Sequence, residues 1–199
     1  MAAAHPLLHT GVTHVAHYQI RNRGTVGGSL AHADPASEMP GIAQTCDAEI
    51  TVIGKAGART IKAADFFKGA LTTALEPDEI ITEVHLPAWP AGRRYGFQEF
   101  ARRRGDFAMA GVALYYDTDG GKAANGHIGV FGVGDCQRRL AKAESALNGH
   151  AVDEALAVKV GEAAAAEVEP QEDIHASAAY RRSLTGTLTE RALTAAAAR

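Results

Sequence analysis

The order of patterns after residue 93 restricts the fold of this chain more than any other feature of the sequence. The segments "RYGFQEFARR", "FAMAGVALYYDTD" and "AANGHIGVFGVG" predict three strands of an antiparallel sheet, with "DTDGG" as the turn between the second and the third. Helical patterns follow in "CQRRLAKAESALNG", which Gly149 ends, in "VDEALAVKVGEAAAAEV", and in "SAAYRRSLTGTLTERALTAAAA", which Gly186 interrupts. Strands followed by helices predict an α+β fold, with the helices on one face of the sheet.

The first half has a more mixed pattern. It predicts a loose helix in "HPLLHTGVTHVAHYQ", a short helix broken by turns in "SLAHADPASEMPGIAQTCDA", and a helix in "AADFFKGALTTAL". Strands are predicted in "EITVIG" and "RTIKA", joined by the turn "KAGA", and in "EPDEIITEVHLP" after its initial turn. The stretch "AWPAGR" contains two prolines and a glycine, so it predicts a joint between a unit over residues 1–90 and a unit over residues 91–199.

Composition excludes several classes of protein. The 199 residues carry a formal charge of -3, which gives no overall attraction to nucleic acid. The basic run "RRRGD" is interpreted as a solvated or interface strand end. No apolar run approaches the roughly 20 residues of a membrane span, and the start lacks the pattern of a secretory signal. The two cysteines, Cys46 and Cys136, form no disulfide framework, so we expect a soluble cytoplasmic protein.

The segment "IRNRGTVGGSLAHADPASEMP" is the candidate functional segment. Gly27 and Gly28 permit positive φ and a close approach of another group, and successive backbone N–H groups there bind anions. Thr25 and Ser29 add hydroxyl donors, while Asp34 and Glu38 offer carboxylates to sugar or ribityl hydroxyls. The pattern is neither a Walker A nor a Rossmann fingerprint. Two interpretations stay open at this point: an ordinary turn, or a cradle for a dinucleotide phosphate.

Other reactive residues do not form a recognisable site. His14 and His17 have helical spacing but no neighbouring cysteines of the zinc type, and Cys46 and Cys136 are too few for an iron–sulfur cluster. No Ser/His/Asp set has the context of a nucleophilic site. We therefore expect neither catalytic residues nor a metal ion in this chain.

Four segments together resemble one family. "QIRNRGTVGGSLAHADPASEMP", "RTIKAADFFKGALTTALEPDEIITEVHLP", "GFQEFARRRGDFAMAGVAL" and "DIHASAAYRRSLTGTLTERAL" are similar, in this order, to the FAD-binding medium subunit of the molybdenum hydroxylases. Aerobic carbon monoxide dehydrogenase and xanthine dehydrogenase belong to that family. The resemblance implies the second subdomain of a vanillyl-alcohol-oxidase-like (PCMH-type) FAD domain over residues 1–90. Over residues 91–199 it implies a CO-dehydrogenase-flavoprotein-like domain, with a three-stranded sheet and a helical bundle.

The resemblance also implies cofactor contacts and partners. It assigns FAD contacts to Thr25, Val26, Gly27, Gly28, Ser29, Asp34, Glu38, Ile81 and Gln98, the last two depending on the alignment offset. Ser29 stands where the family often has Asn or Asp. A large subunit would hold the molybdenum cofactor and a small subunit the 2Fe–2S clusters. Electrons would pass from these clusters to FAD and an external acceptor.

One departure from the family lies at the N-terminus. The family has an earlier FAD subdomain with a first motif resembling Ala-Gly-Gly-x-Ser, and the sequence opens just before the second motif. We therefore expect this chain alone to hold half of the FAD site and to be inactive, with the other half on a separate chain or lost by truncation. The alternative is a flavin-free remnant or scaffold that serves only subunit contacts.

Overall fold

The computed structural model describes residues 4–199. Up to residue 93 it contains short helices and strands, in chain order α1 (Pro6–Val12), α2 (Tyr18–Arg21), α3 (Val26–His32), α4 (Glu38–Thr45), β1 (Glu49–Gly54), β2 (Gly57–Lys62), α5 (Ala63–Phe66), β3 (Phe67–Gly69), β4 (Thr72–Thr73) and β5 (Ile80–His85). Strands β1, β2 and β5 form an antiparallel sheet in the order β2-β1-β5. The predicted hairpin is confirmed: Gly54 pairs with Gly57, whose φ of 106° allows the tight turn.

The second half contains long strands and then long helices, in chain order β6 (Arg94–Phe100), β7 (Ala110–Asp119), β8 (Lys122–Phe131), β9 (Arg138–Arg139), α6 (Ala141–Leu147), α7 (Glu154–Glu167) and α8 (Ala178–Ala197). The antiparallel sheet has the order β6-β7-β8-β9. The three predicted strands are present, and the short β9 pairs Arg139 with Gly129 as a fourth. The α+β class predicted from the order of patterns is therefore confirmed.

The second sheet is buried on both of its faces. Val112 and Leu114 of β7 belong to a core shared with α6, α7 and α8, whereas Ala113 and Tyr115 belong to a core shared with the first half. Alternate residues of a strand point to opposite faces, which explains this division. The prediction of helices on one face is thus incomplete, because α1 and α4 cover the other face.

The segment after β2 differs from its prediction. A helix was expected over "AADFFKGALTTAL", but the helix ends at Phe66 and two short strands follow. Phe66 and Phe67 are both buried, with their rings edge to face at 5.2 Å. Leu71 has a φ of 54° and donates its N–H to the carbonyl of Ala33 at 3.2 Å. Packing against α3 therefore outweighs local helix propensity here.

Two helix predictions also need correction. Helix α6 begins at Ala141 rather than near Cys136, because Arg138 and Arg139 pair as β9. Helix α8 is not interrupted at Gly186, which lies at a close crossing with α7. A Cβ atom on Gly186 would lie 3.1 Å from the carbonyl oxygen of Gly161, and one on Gly161 would lie 2.7 Å from that of Gly186. Glycine serves here to let two helices approach.

Residues 88–93 join the two halves. Ala88, Pro90 and the two residues after it are exposed, while Trp89 is half-buried. The ring of Trp89 packs at 5.5 Å from that of Tyr115, and Arg93 lies over both rings. The boundary between residues 1–90 and 91–199 remains a prediction.

Among the helices of residues 4–199, none has the length and apolar character of a membrane-spanning segment.

Candidate functional site

A cleft of about 1310 Å³ lies where the N-terminal helices meet one end of the second sheet. Its walls come from α1 and the region of α2 and α3, the turn before α4, the β6–β7 connection, the end of β8 and the segment before α8. Of the predicted site residues, the following line it: Thr25, Val26, Gly28, Ser29, Asp34 and Glu38. The cleft therefore brings together six of the nine predicted contacts.

The Gly-Gly pair forms the first turn of helix α3. Thr25 is the N-cap residue, and its Oγ1 accepts the N–H of Gly28 at 2.9 Å. Gly27 and Gly28 are helical and have no positive φ, so the expectation of a positive-φ turn is wrong. The first N–H groups of a helix have no acceptor within the helix. The turn therefore presents backbone donors through the start of a helix.

The two glycines differ in the space that a side chain would have. A Cβ atom on Gly28 would lie 2.9 Å from Oγ1 of Thr25, so Gly28 keeps the cap in place. A Cβ atom on Gly27 would lie 3.7 Å from Cγ2 of Ile81 on β5. Gly27 and Ile81 do not line the cleft but pack directly behind its wall. The structure thus brings Ile81 to the predicted segment, as a support.

The turn between α3 and α4 is fixed from both halves of the molecule. Asp34 accepts the N–H of Ala36 through its Oδ1 at 2.8 Å, which closes an Asx turn. Gln137 donates its side-chain amide to the carbonyl of Asp34 at 2.5 Å, and Gly132 donates its N–H to the carbonyl of Pro35 at 2.7 Å. The end of β8 therefore sets the position of this wall of the cleft.

Glu38 is the first residue of α4 and is buried. Burial raises the pKa of this carboxyl, a bond from its own backbone N–H opposes the rise, and the charge of Asp34 adds to it. A carboxylate in the first turn of a helix is favoured by the helix dipole. Glu38 thus offers a buried acceptor for hydroxyl donors.

Gln98 does not reach the cleft. It lies on β6, on the same strand face as Gly96, and a Cβ atom on Gly96 would meet the carbonyl of Ala192 in α8. Its neighbour Glu99 lies on the opposite face with Phe97, which stacks on Phe131. Sequence reasoning missed Glu99, although the alternation of a strand was sufficient to show that adjacent residues face apart.

Positive charge from two regions borders the cleft. Arg102 and Arg103 of the β6–β7 connection line it and are exposed. Arg21 donates from Nη1 to the carbonyls of Val15 and Ala16, at 2.6 and 2.8 Å. These guanidinium groups offer positive charge to an anionic ligand at two places, while the carboxylates of Asp34, Glu38, Asp106 and Asp173 also line the cleft.

Arg181 connects α8 to the base of the cleft. Its Nη1 donates to the carbonyls of Met109 and Gly132, at 2.7 and 2.5 Å, and its Nη2 donates to Asp173 at 2.7 Å. Because Gly132 also bonds to Pro35, the last helix is linked to the turn that carries Asp34.

Within residues 4–199, His, Cys, Asp and Glu side chains form no group of three or more that could hold a metal ion.

Comparison with known families assigns both halves of the chain. Residues 1–89 match the "FAD binding domain in molybdopterin dehydrogenase", and residues 95–196 match the "CO dehydrogenase flavoprotein C-terminal domain". This chain belongs to the FAD-binding medium subunits of the molybdenum hydroxylases. Membership in the medium-subunit family confirms the resemblance, and the matched domains confirm the PCMH-like FAD-binding fold followed by the CO-dehydrogenase-flavoprotein fold.

Individual members of the family are similar over almost the whole chain. The nicotine 6-hydroxylase medium subunit of Paenarthrobacter nicotinovorans is 41% identical over 98% of this chain and 68% of its own length. The carbon monoxide dehydrogenase medium chain of Afipia carboxidovorans is 34% identical over 100% of this chain and 69% of its own. Members of the family are oxidoreductase subunits, and this chain, as a member of the family, is therefore an oxidoreductase subunit.

Solved structures of the family superpose closely. Carbon monoxide dehydrogenase from Hydrogenophaga pseudoflava matches with a TM-score of 0.95 and 36% identity, over 99% of this chain and 69% of that one. Quinoline 2-oxidoreductase from Pseudomonas putida 86 matches with a TM-score of 0.93 and 38% identity, over 99% and 68%. The chain therefore spans about two thirds of the length of the medium subunits that it matches.

The residues of the cleft fit FAD. The volume of the cleft exceeds the roughly 300–1,000 Å³ of ordinary ligand pockets. The helix start at Val26 presents backbone donors, and Gly28 lacks the Cβ atom that would hinder a close approach. Glu38 supplies a buried acceptor, and Arg102 and Arg103 supply positive charge beside it. Donors for a pyrophosphate and an acceptor for hydroxyls thus share one cleft.

Proposed function

We propose that this chain is the FAD-binding, electron-transfer subunit of a heteromeric molybdenum hydroxylase. The observation that supports this most is the cleft itself, in which the capped Gly-Gly turn and the buried Glu38 face one space, in a chain of the medium-subunit family. A purely structural turn would not require a buried acid without an ion-pair partner beside it.

The proposal gives each site residue a role. In the turn from Thr25 to Ser29, the N–H groups of Val26 and Gly27 hold the pyrophosphate, because those of Gly28 and Ser29 already donate to Thr25. Glu38 and Asp34 accept hydroxyl hydrogens of the ribose or ribityl chain. Ile81 supports the turn from behind through its contact with Gly27. Gln98 has no such support, because it faces α8. Bound FAD would supply reversible acceptance of electrons.

The protein residues act by positioning and by excluding water. The bonds from Gln137 and Gly132 hold the wall that carries Asp34, and Arg181 holds the base from the last helix. No residue of this chain is assigned a bond-breaking role. The large subunit with the molybdenum cofactor and the small subunit with 2Fe–2S clusters are the proposed sources of the electrons. The names of relatives as medium subunits or medium chains support a complex of this kind.

A separate chain carrying the first FAD subdomain is the further proposed partner. Ile20, Val26 and Phe107 line the cleft with 53%, 42% and 62% of their surfaces exposed, which favours coverage by another surface. The same exposure also favours the second candidate function, a scaffold for subunit contacts without flavin. We place the complex in the cytoplasm, because Cys46 and Cys136 are free thiols, as expected in a reducing compartment.

Titration of the chain with FAD, followed by flavin fluorescence, tests the proposal. We expect binding weaker than micromolar for the chain alone, since several hydrogen bonds at about 0.5–1.5 kcal/mol each belong to the other half of the site. Gly28→Val should weaken binding at least about tenfold, because it displaces the cap and fills the approach to the backbone.

Gly69→Val is the matched control, because a Cβ atom on Gly69 meets nothing within 4 Å. It should bind FAD as the wild type does. Equal affinities of the Gly28→Val variant and the wild type would contradict the assignment of the turn. Complete absence of binding at millimolar FAD, with and without the partner subunits, would favour the scaffold.

A further inference from the structure

Glu99 is a half-buried acid that the proposed function does not use. It lies on β6, on the face with Phe97 that packs against the first half. Its Oε2 atom is buried, and among residues 4–199 it has no hydrogen-bond partner. A buried acceptor without a donor is unfavourable when ionised, whereas a protonated carboxyl avoids the cost of an unpaired buried charge.

The ring of Phe131 places Glu99 close to Glu38. Glu99 pairs across the sheet with Gly111, and the ring of Phe131 occupies the space that a side chain on Gly111 would need. The same ring lies 2.7 Å from the position of a Cβ atom on Gly41. Gly41 follows Glu38 by three residues in α4, so both lie on one face of that helix. The two acids therefore border the same aromatic ring.

Positive charge near this region comes from the exposed Arg102 and Arg103, which line the same cleft as Glu38. Burial raises the pKa of Glu99 to about 8, and the charge of Glu38 adds to the rise. In the turn after α1, the ring of His14 packs 4.7 Å from that of Phe97, and in the turn before α4 the carboxylate of Asp34 adds negative charge. From α8, the hydrogen bonds of Arg181 go to two carbonyls and to Asp173. Among residues 4–199, Glu38 and Glu99 take part in no ion pair.

We propose that Glu99 carries a proton at neutral pH and couples occupation of the Glu38 end of the cleft to proton uptake. A ligand hydroxyl on Glu38 fixes its negative charge and displaces water from around it. Less water means weaker screening, so a second negative charge on Glu99 becomes less favourable, and Glu99 takes a proton from solvent. Glu99 is thus a positioning residue that acts through Glu38, and the coupling rests on the proposed function.

Stability measurements across pH test the proton on Glu99 without any cofactor. Because the carboxyl holds its proton up to a higher pH in the folded protein than in the unfolded chain, the free energy of unfolding falls as pH rises from about 4.5 through about 8. Glu99→Gln, which resembles the neutral acid, should remove the part of this fall in the free energy of unfolding that comes from one titrating carboxyl. The difference is measured between about pH 6 and about pH 9. Glu83→Gln, an exposed position on β5, is the matched control and should leave the fall unchanged.

Equal pH dependence of the wild type and the Glu99→Gln variant would overturn the proposal. If that variant fails to fold, carbon-13 NMR of the glutamate-labelled wild type takes its place. One carboxyl resonance with a midpoint near pH 8 is then expected, and its absence overturns the proposal.

Calorimetry with FAD near pH 8, in two buffers of different ionisation heat, tests the coupling. The wild type should take up a fraction of one proton for each FAD bound, and Glu99→Gln should take up less. Binding without proton uptake by the wild type would overturn the coupling while leaving the FAD site intact. Failure of both proteins to bind FAD, with and without the partner subunits, would overturn the proposed function and the coupling with it, and the stability measurement would still decide whether Glu99 is protonated.

Discussion

At the scale of single residues, His127 joins the two halves of the molecule. Its Nδ1 lies 2.9 Å from the carbonyl of Thr45 at the end of α4, and 2.8 Å from the hydroxyl of Tyr115 on β7. The ring also stacks on that of Tyr115, with centroids 4.5 Å apart. In the tautomer with hydrogen on Nδ1, this atom donates to the Thr45 carbonyl; in the other tautomer, it accepts the hydroxyl hydrogen of Tyr115.

This burial makes stability depend on pH on the acid side. Burial lowers the pKa of His127 below its ordinary value of 6.5, with the Thr45 bond opposing and Arg139 reinforcing the change. The unfolded chain therefore takes the proton first, and the free energy of unfolding should fall as pH drops through about 6.5. Denaturant titrations across this range should show a smaller fall for His127→Gln. The exposed His150→Gln should behave as the wild type, and an unchanged profile for His127→Gln would contradict the argument.

Single residues of the site were predictable where a local motif defined them. Thr25, Gly28 and Glu38 were singled out by the sequence and line the cleft, but the sequence placed the two glycines in a loop, whereas the structure makes Thr25 the N-cap and Gly28 part of α3. Gln98 and Glu99 differ by one position, and only the pairing of β6 with β7 and the packing of α8 decide which of them faces the first half. Which of the two faces the first half depends on contacts between residues more than ninety positions apart in the sequence. Local sequence patterns contain no information about such contacts.

At the scale of elements, the crossing of α7 and α8 depends on two glycines in contact. Ordinarily Gly→Ala inside a helix adds about 1 kcal/mol of stability. Gly161→Ala should instead destabilise the protein by about 1–3 kcal/mol, because the new methyl group meets the backbone oxygen of Gly186. Gly186→Ala has more room and should be closer to neutral, so it is the matched control. Chemical denaturation measures both, and a stabilising Gly161→Ala would show that the helices are not in contact there.

The elements of the second half were predicted well because their patterns are long. Strands of ten residues in β7 and β8 and a helix of 14 residues in α7 carry enough periodicity to be recognised. The segment after β2 was not, because its short strands are defined by the bond from Leu71 to Ala33 and by burial of adjacent phenylalanines. Short elements take their conformation from their surroundings.

At the scale of the whole molecule, the predicted joint lies beside a shared core. Ala91 and Gly92 are exposed, so limited proteolysis should cut there before cutting inside the helices. The fragments should nevertheless elute together in size-exclusion chromatography, because Phe97, Tyr115 and Phe131 of the second half share a core with α1 and α4. Mass spectrometry identifies the first cut. A first cut between Cys136 and Gly149, or separation of the fragments, would contradict this arrangement.

The ring of Phe131 that lies over Gly41 and Gly111 has a consequence for how sequence variation in this protein should be interpreted. These three positions share one volume, contributed by a helix of the first half and two strands of the second. A larger residue at position 41 or 111 becomes tolerable only when position 131 carries a smaller one, so substitutions there are non-additive. Differences between homologous sequences at these positions are therefore meaningful as a set, and a larger residue at position 41 or 111 predicts a smaller one at position 131.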